Sequence, residues 1–301
     1  MTASAHTAGE QRQNNSAGSQ TAAPADVNLQ VFNSSEVAQY YAALNYLTPC
    51  EQLLFEEYLR RGMAILDLGV GGGRTTPHLS SIASRYVGVD YAGEMIAACR
   101  KRFPGLEFDV ANAADLSAFA SSTFDAAVMA FNGMDSVIPD EARLRALGEI
   151  GRVLKPQGIL IFSSHNPRSI WVRASWNPQR LRSMAEAVVR TDSFLFRPLL
   201  GSLTATRVIL AAMQALLQSF RRAVRRFPTR AFWRGEGYWT DPAHGGVKTH
   251  LASPEKVSVE VGKLGFRLLR VLGDDYPQPS RRYVTDWYYY VFSKTGVPAE
   301  K

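Results

Sequence analysis

The stretch 64-AILDLGVGGGRTTPHL-79 decides how the rest of the chain is read. An apolar run that contains one acid, Asp67, ends in Gly69, Gly71, Gly72 and Gly73, and Thr75, Thr76 and Pro77 then open a helical segment. A buried strand that ends in bare main chain is the first turn of an open α/β sheet. There ligands lie beyond the carboxyl ends of the strands, and glycines let the backbone approach them with no Cβ in the way. A dinucleotide turn would read GxGxxG, but from Gly69 the frame runs G, V, G, G, G, R, with Arg74 at the third glycine position. The GxxxxGK[ST] loop of nucleotide triphosphatases is absent as well.

On either side of this turn, short apolar runs alternate with helical segments. Strands are predicted at 63–68, 85–90, 106–110, 124–131 and 158–164, with helices near 75–84, 93–103 and 140–154, the pattern of a parallel sheet covered on both faces. Upstream, 34-SSEVAQYYAALNYL-47 has helical spacing. The segment 48-TPCEQLLFEEYLRRG-62 carries a full start and stop: Thr48 as N-cap, Pro49 at the first position, Glu51 completing a capping box and Gly62 beyond the end. Near the C-terminus, 253-SPEKVSVEVGKLGF-266 reads as a helix capped by Ser253. Strands 266–272 and 282–293 follow, and the loop between them has no helical pattern, so they are expected to pair antiparallel.

Asp67 before the glycines gives the order DxGxGxG, and here the chain resembles the class I S-adenosylmethionine-dependent methyltransferases. A carboxylate at a strand end beside a tight turn suits an ammonium- and sulfonium-bearing ligand better than a polyphosphate. Asp90 ends the second strand in 86-YVGVDYAGEMI-96, seventeen residues beyond Gly73, where the family places an acid that accepts both ribose hydroxyls. The segment 111-ANAADL-116 is similar to the family's GDAxDL, with Asn112 in place of the usual Asp. The resemblance assigns the Asn112 amide oxygen to the adenine amino group and the Ala113 N–H to a ring nitrogen. In 152-RVLKPQGILIF-162, Gln157 stands where a second glycine is usual. The resemblance implies a doubly wound, mostly parallel seven-stranded α/β sheet, a Rossmann-like methyltransferase fold with a helical insertion between strands 5 and 6. It also implies S-adenosyl-L-methionine as cofactor, held by Asp67, Gly69, Gly71, Gly73, Asp90, Tyr91, Asn112 and Ala113.

On the acceptor side the fourth strand ends in 130-AFNGMDSV-137, which lacks the NPPY or DPPY sequence of enzymes that methylate a flipped base on its amino group. Neither Cys50 nor Cys99 follows the fourth or fifth strand, so a covalent cysteine mechanism has no nucleophile. His165, in 162-FSSHNP-167, follows the fifth strand and is the candidate catalytic base, or else a hydrogen-bonding residue of its own loop. Asn132 and Asp135 either bound the ligand site or cap the helix near 139. His244 and His250 fall in a loop that could close over the site, and no histidine has metal-ligand spacing.

Composition supports one large catalytic domain with additions: the chain has 301 residues, 46% of them hydrophobic. The expected organisation is a disordered tail at 1–30, a core with N-terminal helices at 31–166, an insertion at 167–250 and a returning core segment at 251–296. The net charge of +7 is uneven, because thirteen arginines, no lysine and two acids lie between Arg168 and Arg234, leaving the remainder acidic. Within that block residues 207–227 place Ile209, Met213, Leu216, Leu217, Phe220, Val224 and Phe227 on one helical face and the arginines opposite. Such a helix serves as a lid, or as a peripheral contact with a membrane surface through residues 194–234. Nucleic acid ranks last among its partners. Without an n-region or an apolar span the expected location is the cytoplasm, at most peripheral to the inner membrane surface. The expected activity is methylation of a small-molecule, lipid or glycan hydroxyl, with O-methylation taken from the frequency of that reaction in the family. The competing reading is a non-catalytic cofactor-binding module docked through the basic helix.

Overall fold

A computed structural model describes residues 26–169, 229–241 and 246–296. Its central sheet has seven strands in the order β3-β2-β1-β4-β5-β9-β8. They are β1 (Ala64–Leu68), β2 (Arg85–Asp90), β3 (Glu107–Val110), β4 (Phe124–Met129), β5 (Leu154–His165), β8 (Phe266–Gly273) and β9 (Trp287–Lys294). A separate antiparallel ribbon pairs β6 (Glu236–Asp241) with β7 (Val247–Ala252). Strands β1 to β5 are parallel, and β9 runs antiparallel between β5 and β8. Parallel strands covered on both faces read as continuous apolar runs, which is why β1, β2 and β4 carry so little polar alternation. One core layer centres on Leu66, Leu147 and Phe162, the other on Leu54, Ile65 and Ile161. Strand order reverses between β1 and β4, so the crevice opens beyond their carboxyl ends.

The helices are α1 (Val27–Phe32), α2 (Ser35–Ala42), α3 (Pro49–Tyr58), α4 (Thr76–Ile82), α5 (Gly93–Arg102), α6 (Asp140–Val153), α7 (Thr229–Arg234) and α8 (Pro254–Lys263). The capping box of α3 forms as read: Thr48 Oγ1 accepts from Glu51 N at 3.2 Å, and Glu51 Oε2 accepts from Thr48 N at 2.8 Å. The helix stops at Tyr58, ahead of Gly62, because the Arg60 guanidinium turns back onto its last carbonyls and donates to Glu57 O at 2.7 Å.

Three expectations need correction, and the insertion is described only in part. The tail predicted for 1–30 overlaps α1, which is capped by Asp26 and pinned by Asn28; the remainder of that tail lies outside the described residues. Asn28 Oδ1 accepts from Lys248 N, and its Nδ2 donates to the carbonyls of Lys248 and Ser136. The boundary at 250/251 cuts through β7, and His250 is buried in that strand rather than in a loop. In its described part the insertion is one short helix plus the β6–β7 ribbon; the basic helix at 207–227 and His244 lie outside the described residues. The last strand begins at Trp287 instead of 282, since Arg281 and Thr285 close a turn that the Asn166 amide holds through the carbonyls of Arg282 and Thr285.

Candidate functional site

The glycine turn after β1 is built for two purposes. Gly69, Gly71 and Gly73 have φ of +59°, +55° and +83°, a region that side chains disfavour. Gly72 and Gly73 also carry neighbours. A Cβ on Gly72 would meet the backbone N of Ala42 in α2 at 2.2 Å, and one on Gly73 would meet the Phe103 ring at 2.6 Å. Part of the glycine content thus lets helices and loop close onto one another, and the rest leaves main chain facing the crevice. Arg74, at the position of the missing third glycine, turns back towards α3. Its guanidinium pairs with Glu51 at 2.7 and 2.5 Å, donates to Tyr46 O and lies 4.8 Å from the Phe131 ring centre.

Two strand-terminal acids flank the turn. Asp67 is buried at the end of β1, and its Oδ2 accepts from Thr75 Oγ1 and Tyr86 Oη, both at 2.8 Å. Burial pushes its carboxyl up to about 6, against the pull of those two bonds and of Arg74. Asp90 ends β2 and ties the turn down: Oδ2 accepts from Gly71 N and Oδ1 from Ala92 N, both at 2.9 Å. Burial raises its carboxyl as well, and the backbone donors oppose that. Tyr91 follows with a buried hydroxyl that has no partner among the described residues. At the third strand Ala113 lines the crevice with Ala111, while Asn112 Oδ1 accepts from Ala114 N at 2.9 Å and closes its own loop. All eight residues of the expected cofactor site except Gly73 line one cleft of about 390 Å³, a size that suits a small organic ligand.

The other end of the cleft is organised around His165. Its Nδ1 lies 2.8 Å from Asp135 Oδ2, which also accepts from the His165 backbone N at 2.7 Å; Asp135 is 1% exposed. His165 Nε2 lies 3.2 Å from Asn132 Nδ2. Neither Asn132 nor Asp135 caps α6, whose N-cap is Pro139 with no side-chain bond, so the structure joins them to the histidine instead. Phe131 and Asn132 are consecutive left-handed residues at φ +56° and +62°, and the second is held by a 2.7 Å bond from its N to Ser163 Oγ. Phe131, Trp287, Val137 and Ile138 make this end apolar, and the β6–β7 ribbon adds Val247 and Thr249. Sequence reading left the Asp135–His165–Asn132 association open because the partners are about thirty residues apart on two strand ends.

Residues 65–158 match the family model described as a methyltransferase domain. This segment is a methyltransferase domain, and the sheet around it has the class I fold. A demethylmenaquinone methyltransferase of Paenarthrobacter aurescens (strain TC1) is 32% identical over 134 residues, 44% of this chain and 51% of the relative. The mitochondrial ubiquinone biosynthesis O-methyltransferase of Homo sapiens is 34% identical over 112 residues, 35% and 29% of the two chains. The chain spans about half the length of the first of these relatives and less of the second. An S-adenosylmethionine-dependent methyltransferase structure from Mesorhizobium loti superposes with a TM-score of 0.52 at 17% identity, covering 81% of this chain and 97% of that one. One from Methanosarcina mazei gives 0.51 at 23%, covering 84% and 99%. At these identities the likeness establishes the fold.

S-adenosylmethionine is the cofactor of this domain class, and the residues of the methyltransferase domain fit it. Main chain at Gly69 and Gly71 faces the cleft with no side chain to fill it, and the buried Tyr91 hydroxyl lacks a partner among the described residues at the same end. Asp90, already oriented by two backbone donors, keeps lone pairs for a ribose diol.

Proposed function

We propose that the protein transfers a methyl group from S-adenosylmethionine to a hydroxyl of a small, largely apolar molecule, with His165 as general base. The observation that carries this reading is the Asp135–His165 pair at the end of the cleft away from Asp90. A buried carboxylate on Nδ1 favours the tautomer in which the proton sits on Nδ1, so Nε2 carries the lone pair, which Asn132 Nδ2 meets at 3.2 Å until an acceptor hydroxyl replaces it. When bound, S-adenosylmethionine supplies a methyl carbon already activated by its sulfonium. What remains for the protein is alignment of the acceptor and removal of its proton. Phe131 and Trp287 provide aromatic walls for alignment, with ring centres 6.5 Å apart, and Arg74 braces the Phe131 face. Asp135 stabilises the ring as it takes the proton. The names of the relatives, which refer to demethylmenaquinone and to ubiquinone biosynthesis, support a small-molecule acceptor, and the second of them, an O-methyltransferase, supports transfer to oxygen.

The test uses purified protein, methyl-labelled S-adenosylmethionine and fractionated small-molecule extract. Label is expected in an alkali-stable, low-molecular-weight ether, at a rate lowered at least a hundredfold by His165→Ala. Label on nitrogen or carbon refutes the hydroxyl acceptor. Cofactor binding with no transfer to any fraction favours the binding module instead.

A further inference from the structure

Asn132 makes four unusual commitments at one position. It adopts a left-handed backbone without being glycine, and it anchors its N–H on Ser163. Its amide nitrogen is directed at His165 Nε2, while its Oδ1 is buried without a partner among the described residues, the residue being only 9% exposed. A buried unpaired acceptor is costly, and a left-handed asparagine adds strain, so packing alone gives no reason for either. The chemistry of the ring does. A neutral imidazole with its proton on Nδ1 presents a lone pair at Nε2 and needs a donor there; an imidazolium presents N–H and needs an acceptor. A primary amide carries one of each, a half-turn apart.

We propose that Asn132 is a positioning residue that partners His165 in both of its proton states. Before reaction Nδ2–H is bonded to the Nε2 lone pair and holds the ring plane in place. The acceptor hydroxyl then takes over that lone pair. As its O–H bond breaks, the oxygen keeps the electron pair and the proton forms the Nε2–H bond. Asn132 Oδ1, until then unpartnered, receives that new N–H after the amide turns. Asp135 accepts from Nδ1 throughout. Among the described residues, Tyr290 of β9 and His250 of β7 lie within electrostatic reach of Asp135, and Arg74 beyond Phe131 is paired with Glu51. None of these replaces the amide at Nε2. The role rests on the proposed base function of His165.

Two variants separate the roles of Asn132. Asn132→Gly accepts the left-handed backbone and deletes the amide; Asn132→Asp keeps the shape and offers acceptors only. In the ligand-free protein, ring 15N signals assigned through His165→Ala should show Nε2 hydrogen-bonded in wild type and free in Asn132→Gly, with the proton remaining on Nδ1. In turnover, Asn132→Gly should lose about tenfold in kcat with KM little changed. Asn132→Asp should move the acidic limb of the pH–rate profile upwards by about one pH unit, because a second carboxylate favours the charged ring. Identical ring signals in wild type and Asn132→Gly overturn the proposal, as does an unmoved acidic limb in Asn132→Asp. The spectroscopic arm needs no turnover. Ring signals that respond while no methyl transfer is found would count against the proposed activity and leave the pairing intact.

Discussion

Replacing Asp67 with asparagine should stabilise the protein at neutral pH and weaken it as a cofactor binder. Asparagine keeps the shape and an acceptor oxygen for Thr75 and Tyr86, and it removes a charge from a fully buried site. The Asp67 carboxyl is pushed from 3.8 up to about 6 in the folded protein. Between those values the folded state holds a proton that the unfolded chain has released, so stability falls as pH rises through the window. Above it the whole cost of a buried carboxylate is present. A gap of about two pH units corresponds to about 3 kcal/mol. Urea unfolding should therefore find Asp67→Asn more stable than wild type by up to about 3 kcal/mol at pH 8, with the gain shrinking towards zero near pH 4. Isothermal titration on the same variant should show S-adenosylhomocysteine binding at least about tenfold weaker, the trade of stability for function expected where a site keeps a charge against its own folding preference. A gain equal at both pH values would refute the assignment of that cost to Asp67 ionisation, and so would a loss at pH 8.

Three further substitutions test other parts of the design. Asp90→Ala strips the acceptor from Gly71 N and Ala92 N and from the expected ribose site; titration with S-adenosylhomocysteine should show affinity down by about a hundredfold, and unchanged affinity would misplace the ribose. Gly72→Ala drives a Cβ into the α2 backbone and should cost about 1–3 kcal/mol in thermal unfolding; a silent variant would mean that α2 does not pack on the turn. Gln157→Gly relieves an exposed left-handed residue at φ +64° and should add about 1 kcal/mol to stability without touching activity. No gain in a denaturant midpoint would show that the turn is not strained by its side chain.

What the sequence determined by itself is local. The apolar runs of β1, β2 and β4, the capping box at Thr48 and Glu51 and the glycines after Leu68 are short-range signals, because strand burial, helix caps and left-handed backbone act within a few residues of the chain. The acids at 67 and 90 were legible for the same reason: the first and second strands each end where the apolar run ends. Tertiary structure alone decided which residues meet. It turned Arg74 towards Glu51, gave Gly72 the task of admitting α2, folded α1 out of a polar tail through Asn28, and closed Asn132, Asp135 and His165 into one hydrogen-bonded chain. Those contacts join segments far apart in the chain. Their energies depend on desolvation and on partners brought in by other elements, and no local pattern of residues encodes either.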